Sequence, residues 1–269
     1  MIEKKYSYNK DPFPYIIFDN FLDKHEIEEL ENCISHEIFT EVSDDKFRHN
    51  INYSHPYFKK IKKKNLILKK FCKKIINKKS FEFLLNIFNR DLREENFFSN
   101  LEKYHIYVGK NFNPTNLNYY DLFIFKIFNR FFKVKNFIFK LLKIPSVRID
   151  LEFSESWSGY NLPAHKDQVN KVFVGLLYLN TMKNENDKFI SNLNLFKRHD
   201  QKKKKISIKP SEEEIYKYSE VNVIKNKCII FLNTPYAYHS VEEFTSKTPR
   251  KFVYFSYAIS NYKDLFKEN

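Results

Sequence analysis

His165 and Asp167, one residue apart, and His239 and Arg250 further along are the residues here whose types could do chemistry together. Two imidazoles and one carboxylate make the set that non-haem Fe(II) prefers, and three ligands on one face leave three positions open. A 2-oxo acid can chelate through two of them and O₂ can take the third. In an extended segment alternate residues share a face, so the triplet His165-Lys166-Asp167 can turn both ligating side chains the same way. An arginine on a later strand can hold the far carboxylate of 2-oxoglutarate through a bidentate pair. Taken singly, each residue has a plainer reading: a hydrogen-bonded surface histidine, a turn aspartate, a strand-edge arginine. Their order and surroundings favour the metal reading.

Strands must position such a set, and the second half of the chain supplies them. Residues 147–153 alternate apolar and polar, as a half-buried strand does. Residues 172–179 and 228–232 are continuous apolar runs, and 251–257 is rich in aromatic and β-branched residues. His165 and Asp167 precede the first apolar run, His239 follows the second after an Asn-Thr-Pro turn, and Arg250 opens the last strand. Several short strands with loops between them predict a sandwich or barrel. The charged stretches 201–205 and 211–220 read as a solvated insertion.

The first half reads differently. Residues 13–20 predict a strand, and Asp23 caps a helix with Ile27, Leu30 and Ile34 on one face. Residues 58–95 predict two helices divided near Lys79-Ser80, with Ser80 as a cap; 110–118 reads as a loop around Pro114, and 119–143 as an aromatic-rich helix. Helices carrying Phe, Leu and Ile on one side and Lys on the other could lie on a membrane, but the plainer expectation is that they pack on the core.

The chain has 269 residues and 42% apolar composition, enough for a real core and too much for a disordered chain. Cys33, Cys72 and Cys228 have no pairing pattern and are expected to be small buried hydrophobes, so neither a disulfide scaffold nor a Cys-rich zinc site is expected. No long apolar run or leader pattern is evident, and the expected compartment is the cytoplasm. The net charge is +14, but Lys outnumbers Arg 40 to 7, Asn numbers 29, and Ala and Gly number three each. An A/T-rich codon bias accounts for that skew without a ligand. The alternative is a non-catalytic module that binds nucleic acid or an anionic membrane through residues 59–79, which hold eleven lysines.

These motifs resemble the Fe(II)/2-oxoglutarate-dependent oxygenases, in particular the prolyl-4-hydroxylase-like branch. Pro163-Ala164-His165-Lys166-Asp167 resembles its P-x-H-x-D, Leu177-Tyr178-Leu179-Asn180 its L-Y-L-N strand, and His239-Ser240-Val241 its H-x-V. Asn226-Lys227-Cys228-Ile229-Ile230-Phe231 is similar to its G-x-x-x-x-F strand, with Asn226 where Gly is usual. Residues 13–22 resemble the strand-then-helix opening of many members. The paired glycines usual after L-Y-L-N are absent; Ser191-Asn192-Leu193 stands there.

The resemblance implies His165, Asp167 and His239 as catalytic metal ligands, with Arg250, Tyr178 and Val241 at the cosubstrate. Trp157 and Tyr160 could line a substrate entrance or sit in the core, and Arg148 and Lys166 could flank the mouth and favour an anionic substrate. The implied fold is α+β: a double-stranded β-helix (jelly-roll or cupin-like barrel) over 147–260, with 1–146 as an N-terminal strand and helical layer on one sheet, all in one domain. The implied activity uses Fe(II), 2-oxoglutarate and O₂, with ascorbate as reductant. It would hydroxylate an unactivated C–H of a small molecule or peptidyl side chain, releasing succinate and CO₂.

Overall fold

The computed structural model describes residues 4–34, 47–95, 105–108, 146–200 and 207–259. The larger of two sheets has eight strands. Seven of them run in the order β1 (Ser7–Asn9), β2 (Tyr15–Phe18), β10 (Cys228–Leu232), β7 (Lys171–Tyr178), β12 (Arg250–Ile259), β5 (Ser146–Ser156), β3 (Arg48–Asn52). These pair antiparallel, while β4 (His105–Val108) adds parallel to β5. The smaller sheet runs β6 (Leu162–His165), β11 (His239–Val241), β8 (Leu193–Arg198), β9 (Ile215–Val221).

Both faces of the large sheet are covered, which is why β7 and β10 read as unbroken apolar runs. Along β10, Cys228, Ile230 and Leu232 join a core under the helices, while Ile229 and Phe231 join a second core facing the small sheet. The helical layer comprises α1 (Lys24–Asn32), α2 (Pro56–Lys64), α3 (Leu66–Ile75), α4 (Lys78–Ile87) and α5 (Asn89–Glu94). Aromatic stacks lock it to the sheet: Phe58 on Phe153 at 5.1 Å, Phe81 on Tyr257 at 5.6 Å and Phe88 on Phe173 at 5.5 Å between ring centroids. Each such pair adds about 0.5–1.5 kcal/mol beyond its burial. Cys72 and Cys228 are buried in the core between this layer and the sheet as expected, and burial pushes the Cys72 thiol up to about 12; Cys33 is half-buried at the end of α1.

Three expectations are corrected. Residues 56–94 form four helices rather than two, because Asn65 and Asn77 cap α3 and α4 by accepting from the N–H groups of Leu68 (2.8 Å) and Ser80 (2.9 Å). Asn caps as well as Ser does, and Ser80 lies inside α4 with its hydroxyl donating to the Lys74 carbonyl at 2.6 Å. The second correction is that 215–221 is strand β9 and not part of a solvated insertion. It is an edge strand whose ends, Ile215 and Val221, are buried and whose middle faces water, so its charge misled. Third, the N-terminal half supplies a strand that was not expected: β3 extends the large sheet beside β5, while the expected strand β2 pairs with β10. The expected loop at 110–118, the helix at 119–143 and the stretch 201–205 lie outside the described residues.

The scarcity of glycine is met by other residues taking left-handed backbone. Ser191 (φ 58°) and Asn226 (φ 69°) stand where the resemblance leads one to expect glycine. β8 starts two residues after Ser191, at Leu193, without the paired glycines. Asn226 also does what Gly cannot: its amide accepts from the Leu22 N–H and donates to the Leu22 carbonyl, both at 2.8 Å, joining the start of the chain to β10. Asn226→Gly should therefore lower stability by about 1–2 kcal/mol in urea unfolding, despite the relaxed backbone. Gly175 on β7 is different. It faces Phe255 across the β12 pairing, and a Cβ there would run into the ring. Gly175→Ala should cost about 1–3 kcal/mol by the same measurement.

Candidate active site

Between the two sheets lies a cavity of about 300 Å³. Strand register explains how residues 74 positions apart meet there. β11 runs antiparallel to β6 with His239 directly opposite His165, and the two imidazole centroids are 4.4 Å apart. Asp167 follows β6 by two residues, and its Oδ2 lies 3.7 Å from His239 Nε2.

The ring orientations are set from behind. His165 Nδ1 is 2.9 Å from the Pro163 carbonyl and His239 Nδ1 is 3.1 Å from the Ala237 carbonyl. A carbonyl only accepts, so the Nδ1 facing it carries a proton in each ring, which leaves Nε2 as the nitrogen available to a ligand. Burial, and then the neighbouring His165, lower the pKa of His239 to about 4, so its imidazole stays neutral through the mildly acidic range.

Asp167 divides its two oxygens. Lys171 Nζ sits 2.5 Å from Oδ1 and 2.6 Å from the Tyr254 hydroxyl, which itself lies 3.2 Å from Oδ1. Burial pushes the Asp167 carboxyl up, but Lys171 and the two imidazoles outweigh it and hold it below the usual carboxylate range. Oδ2 is buried with no hydrogen-bond partner among the described residues. Among the described residues no three His, Cys, Asp or Glu side chains form a group that could hold a metal as they stand; His165, Asp167 and His239 all line the cavity.

Arg250, which opens β12, lines the cavity, and Tyr178, which ends β7, lies against it outside the lining. They are 1% and 0% exposed, and the guanidinium carbon lies 5.2 Å from the Tyr178 ring centroid. Arg250 Nε and Nη2 have no hydrogen-bond partner among the described residues, and the Tyr178 hydroxyl has the Arg250 side chain as its polar neighbour. Unmet buried donors are costly, and a carboxylate is the ligand that would meet them. Val241 lines the same cavity two residues past His239.

Of the residues expected at the mouth, only Tyr160 lines the cavity. Trp157 is turned aside, donating to Glu155 at 3.1 Å. Arg148 is paired with Asp150 at 2.9 Å, and Lys166 reaches the Pro235 carbonyl at 3.2 Å. Sequence reading missed Lys171, Tyr254, and the Arg48, Asn50 and Glu152 group supplied by β3 and β5. Tyr254 was within reach, since the two-residue period of a strand starting at Arg250 puts 252 and 254 on the same face. Nothing local marks Arg48 or Lys171; only pairing across the sheet brings them in.

No protein-family model matches the sequence, and no curated protein matches it significantly. Among solved structures the chain is similar to a Pseudomonas putida prolyl-4-hydroxylase, at 10% identity over 91% of each chain and a TM-score of 0.45. It is similar also to a Trichoplax adhaerens prolyl hydroxylase in complex with a hypoxia inducible factor peptide fragment, at 12% identity over 91% of this chain and 83% of that one, TM-score 0.42. A third is Streptomyces hygroscopicus HygX with nickel, 2-oxoglutarate and hygromycin B bound, at 9% identity over 94% and 85%, TM-score 0.42. At these identities and TM-scores the likeness is one of outline.

Proposed function

We propose that the chain is an Fe(II)- and 2-oxoglutarate-dependent oxygenase on a double-stranded β-helix, in one domain with its catalytic core at 147–260. The observation that carries this reading is the pairing, in one cavity, of nitrogen and oxygen donors at His165, His239 and Asp167 with the unmet buried guanidinium nitrogens of Arg250, against which Tyr178 packs. The donor set suits Fe(II), and the guanidinium suits the far carboxylate of a 2-oxo diacid.

His165 and His239 would donate through Nε2, each ring held by its carbonyl partner. Asp167 would donate through Oδ2 while Lys171 and Tyr254 keep Oδ1 in place. Arg250 and Tyr178 would seat the C5 carboxylate, with Val241 against the carbon chain. Val174, Leu176 and Leu193 on the cavity wall would keep water out. Bound Fe(II) and 2-oxoglutarate supply O₂ activation coupled to loss of CO₂, leaving succinate. The retained carboxylate at Asp167 favours hydroxylation over halogenation. The substrate would be a small molecule or a peptidyl side chain, with ascorbate as reductant.

The test is anaerobic calorimetry with Co(II) followed by 2-oxoglutarate, then succinate formation with Fe(II), O₂ and ascorbate. The expected result is metal-dependent 2-oxoglutarate binding and metal-dependent succinate. No metal binding, together with no succinate in the wild type, overturns the reading.

A further inference from the structure

The positive charge of this chain is concentrated in one place. Residues 47–81 hold twelve Lys and Arg and no Asp or Glu, which leaves only two of the fourteen net charges to the rest of the chain. Codon bias accounts for lysine everywhere, but not for the absence of carboxylates from this stretch. Nine of its eleven lysines are exposed, while the apolar residues Phe58, Leu68, Phe71, Cys72 and Ile75 all point into the core. Lys74 pairs with Glu26 at 3.2 Å and Lys78 with Glu82 at 3.4 Å. Lys63, Lys64, Lys69, Lys70, Lys73 and Lys79 have no carboxylate partner among the described residues. Like charges one turn apart, as at 69 and 73, destabilise a helix. The lysines ending α2 gain from its dipole; Lys69 and Lys70, in the middle of α3, have no such gain.

We propose that the outward face of α2 and α3 docks on an anionic lipid surface, with Leu66 as its apolar anchor. Leu66 is 62% exposed and shares one stripe of α3 with Lys69, Lys70 and Lys73. An aliphatic tip ringed by ammonium groups suits a layer of anionic headgroups over hydrocarbon. A nucleic acid would call for other chemistry: guanidinium forks on phosphates or exposed aromatic rings under bases. The single arginine of the stretch, Arg48, is instead turned into the cavity beside Glu152. Among the described residues no large aromatic of α2, α3 or α4 is exposed. These helices cover the face of the large sheet opposite the cavity, so a docked molecule keeps its cavity free.

Co-sedimentation of the full chain with vesicles of phosphatidylcholine alone, or with about one-third phosphatidylserine, tests this, with fluorescence anisotropy on single- and double-stranded oligonucleotides alongside. The chain should bind only the anionic vesicles, about tenfold or more weaker when salt rises from about 50 to about 300 mM. The triple variant Lys69→Glu, Lys70→Glu, Lys73→Glu should lose that binding, and so should the milder triple Gln variant, both with unchanged melting temperature. Leu66→Ser should weaken binding severalfold while keeping its salt dependence. No binding to anionic vesicles at low salt, or wild-type binding by the Glu variant, overturns the proposal. So does tighter binding to an oligonucleotide than to anionic vesicles at equal salt, lost in the same variants, which would make the partner a nucleic acid. Metal and 2-oxoglutarate binding is unaffected by these variants, so this result stands apart from that of the oxygenase reading.

Discussion

His239→Ala should lower Co(II) affinity by at least about 100-fold and abolish Fe(II)-dependent succinate formation. Losing a group that merely orients a ligand already costs about 10–100-fold in metal affinity, and losing the ligand itself costs more. His165→Ala should do the same, because the two imidazoles face each other across one strand pair and no third imidazole lines the cavity. His239 is buried and packs 5.0 Å from the Phe231 ring, so its truncation also opens a void. His239→Gln nearly fills that space without an imidazole nitrogen, and it should fail in metal binding while unfolding close to the wild type. Calorimetry with Co(II) reads the first effect and thermal unfolding the second. Full metal affinity in both Ala variants would remove the assignment of these residues.

Arg250→Met is the second large effect, and it separates cosubstrate binding from stability. A bidentate pair to a carboxylate contributes about 3 kcal/mol, so the apparent KM for 2-oxoglutarate should rise about 100-fold, with metal affinity kept. Without ligand, the wild type holds a buried guanidinium with two unmet nitrogens. Replacing it by an apolar side chain of similar length should leave the unliganded protein as stable or more so. The wild type should gain about 3 kcal/mol of stability at a hundredfold excess of 2-oxoglutarate over Kd in the presence of metal, and the variant should lose that gain. An unchanged KM, or a large loss of stability without ligand, would make Arg250 a structural residue.

The strands were legible because burial on both faces leaves a continuous apolar signature, as in 172–179 and 228–232. The helix boundaries were not, because Asn65 and Asn77 cap by side-chain geometry inside a lysine-rich stretch whose composition hides the breaks. Strand β9 was obscured by its own solvated face. Lys171 shows the limit at the cavity itself: it lies four residues past Asp167, in a spacing without meaning outside a helix, and only the start of β7 beside Tyr254 turns it onto the carboxylate.

By itself the sequence determined the residue types that could hold a metal and a diacid, their order, and the strands that carry them. Local pattern and side-chain chemistry suffice for that, since strand period and ligand type are properties of short segments. Tertiary structure alone decided the rest: that His239 lies opposite His165, that Oδ1 of Asp167 is held and Oδ2 left open, and that Arg48 and Asn50 arrive from the far end of the chain. It also decided that the lysines of α2 and α3 face away from the cavity. Those facts depend on register between segments tens to hundreds of residues apart, and burial of the two cores, not any local motif, sets that register.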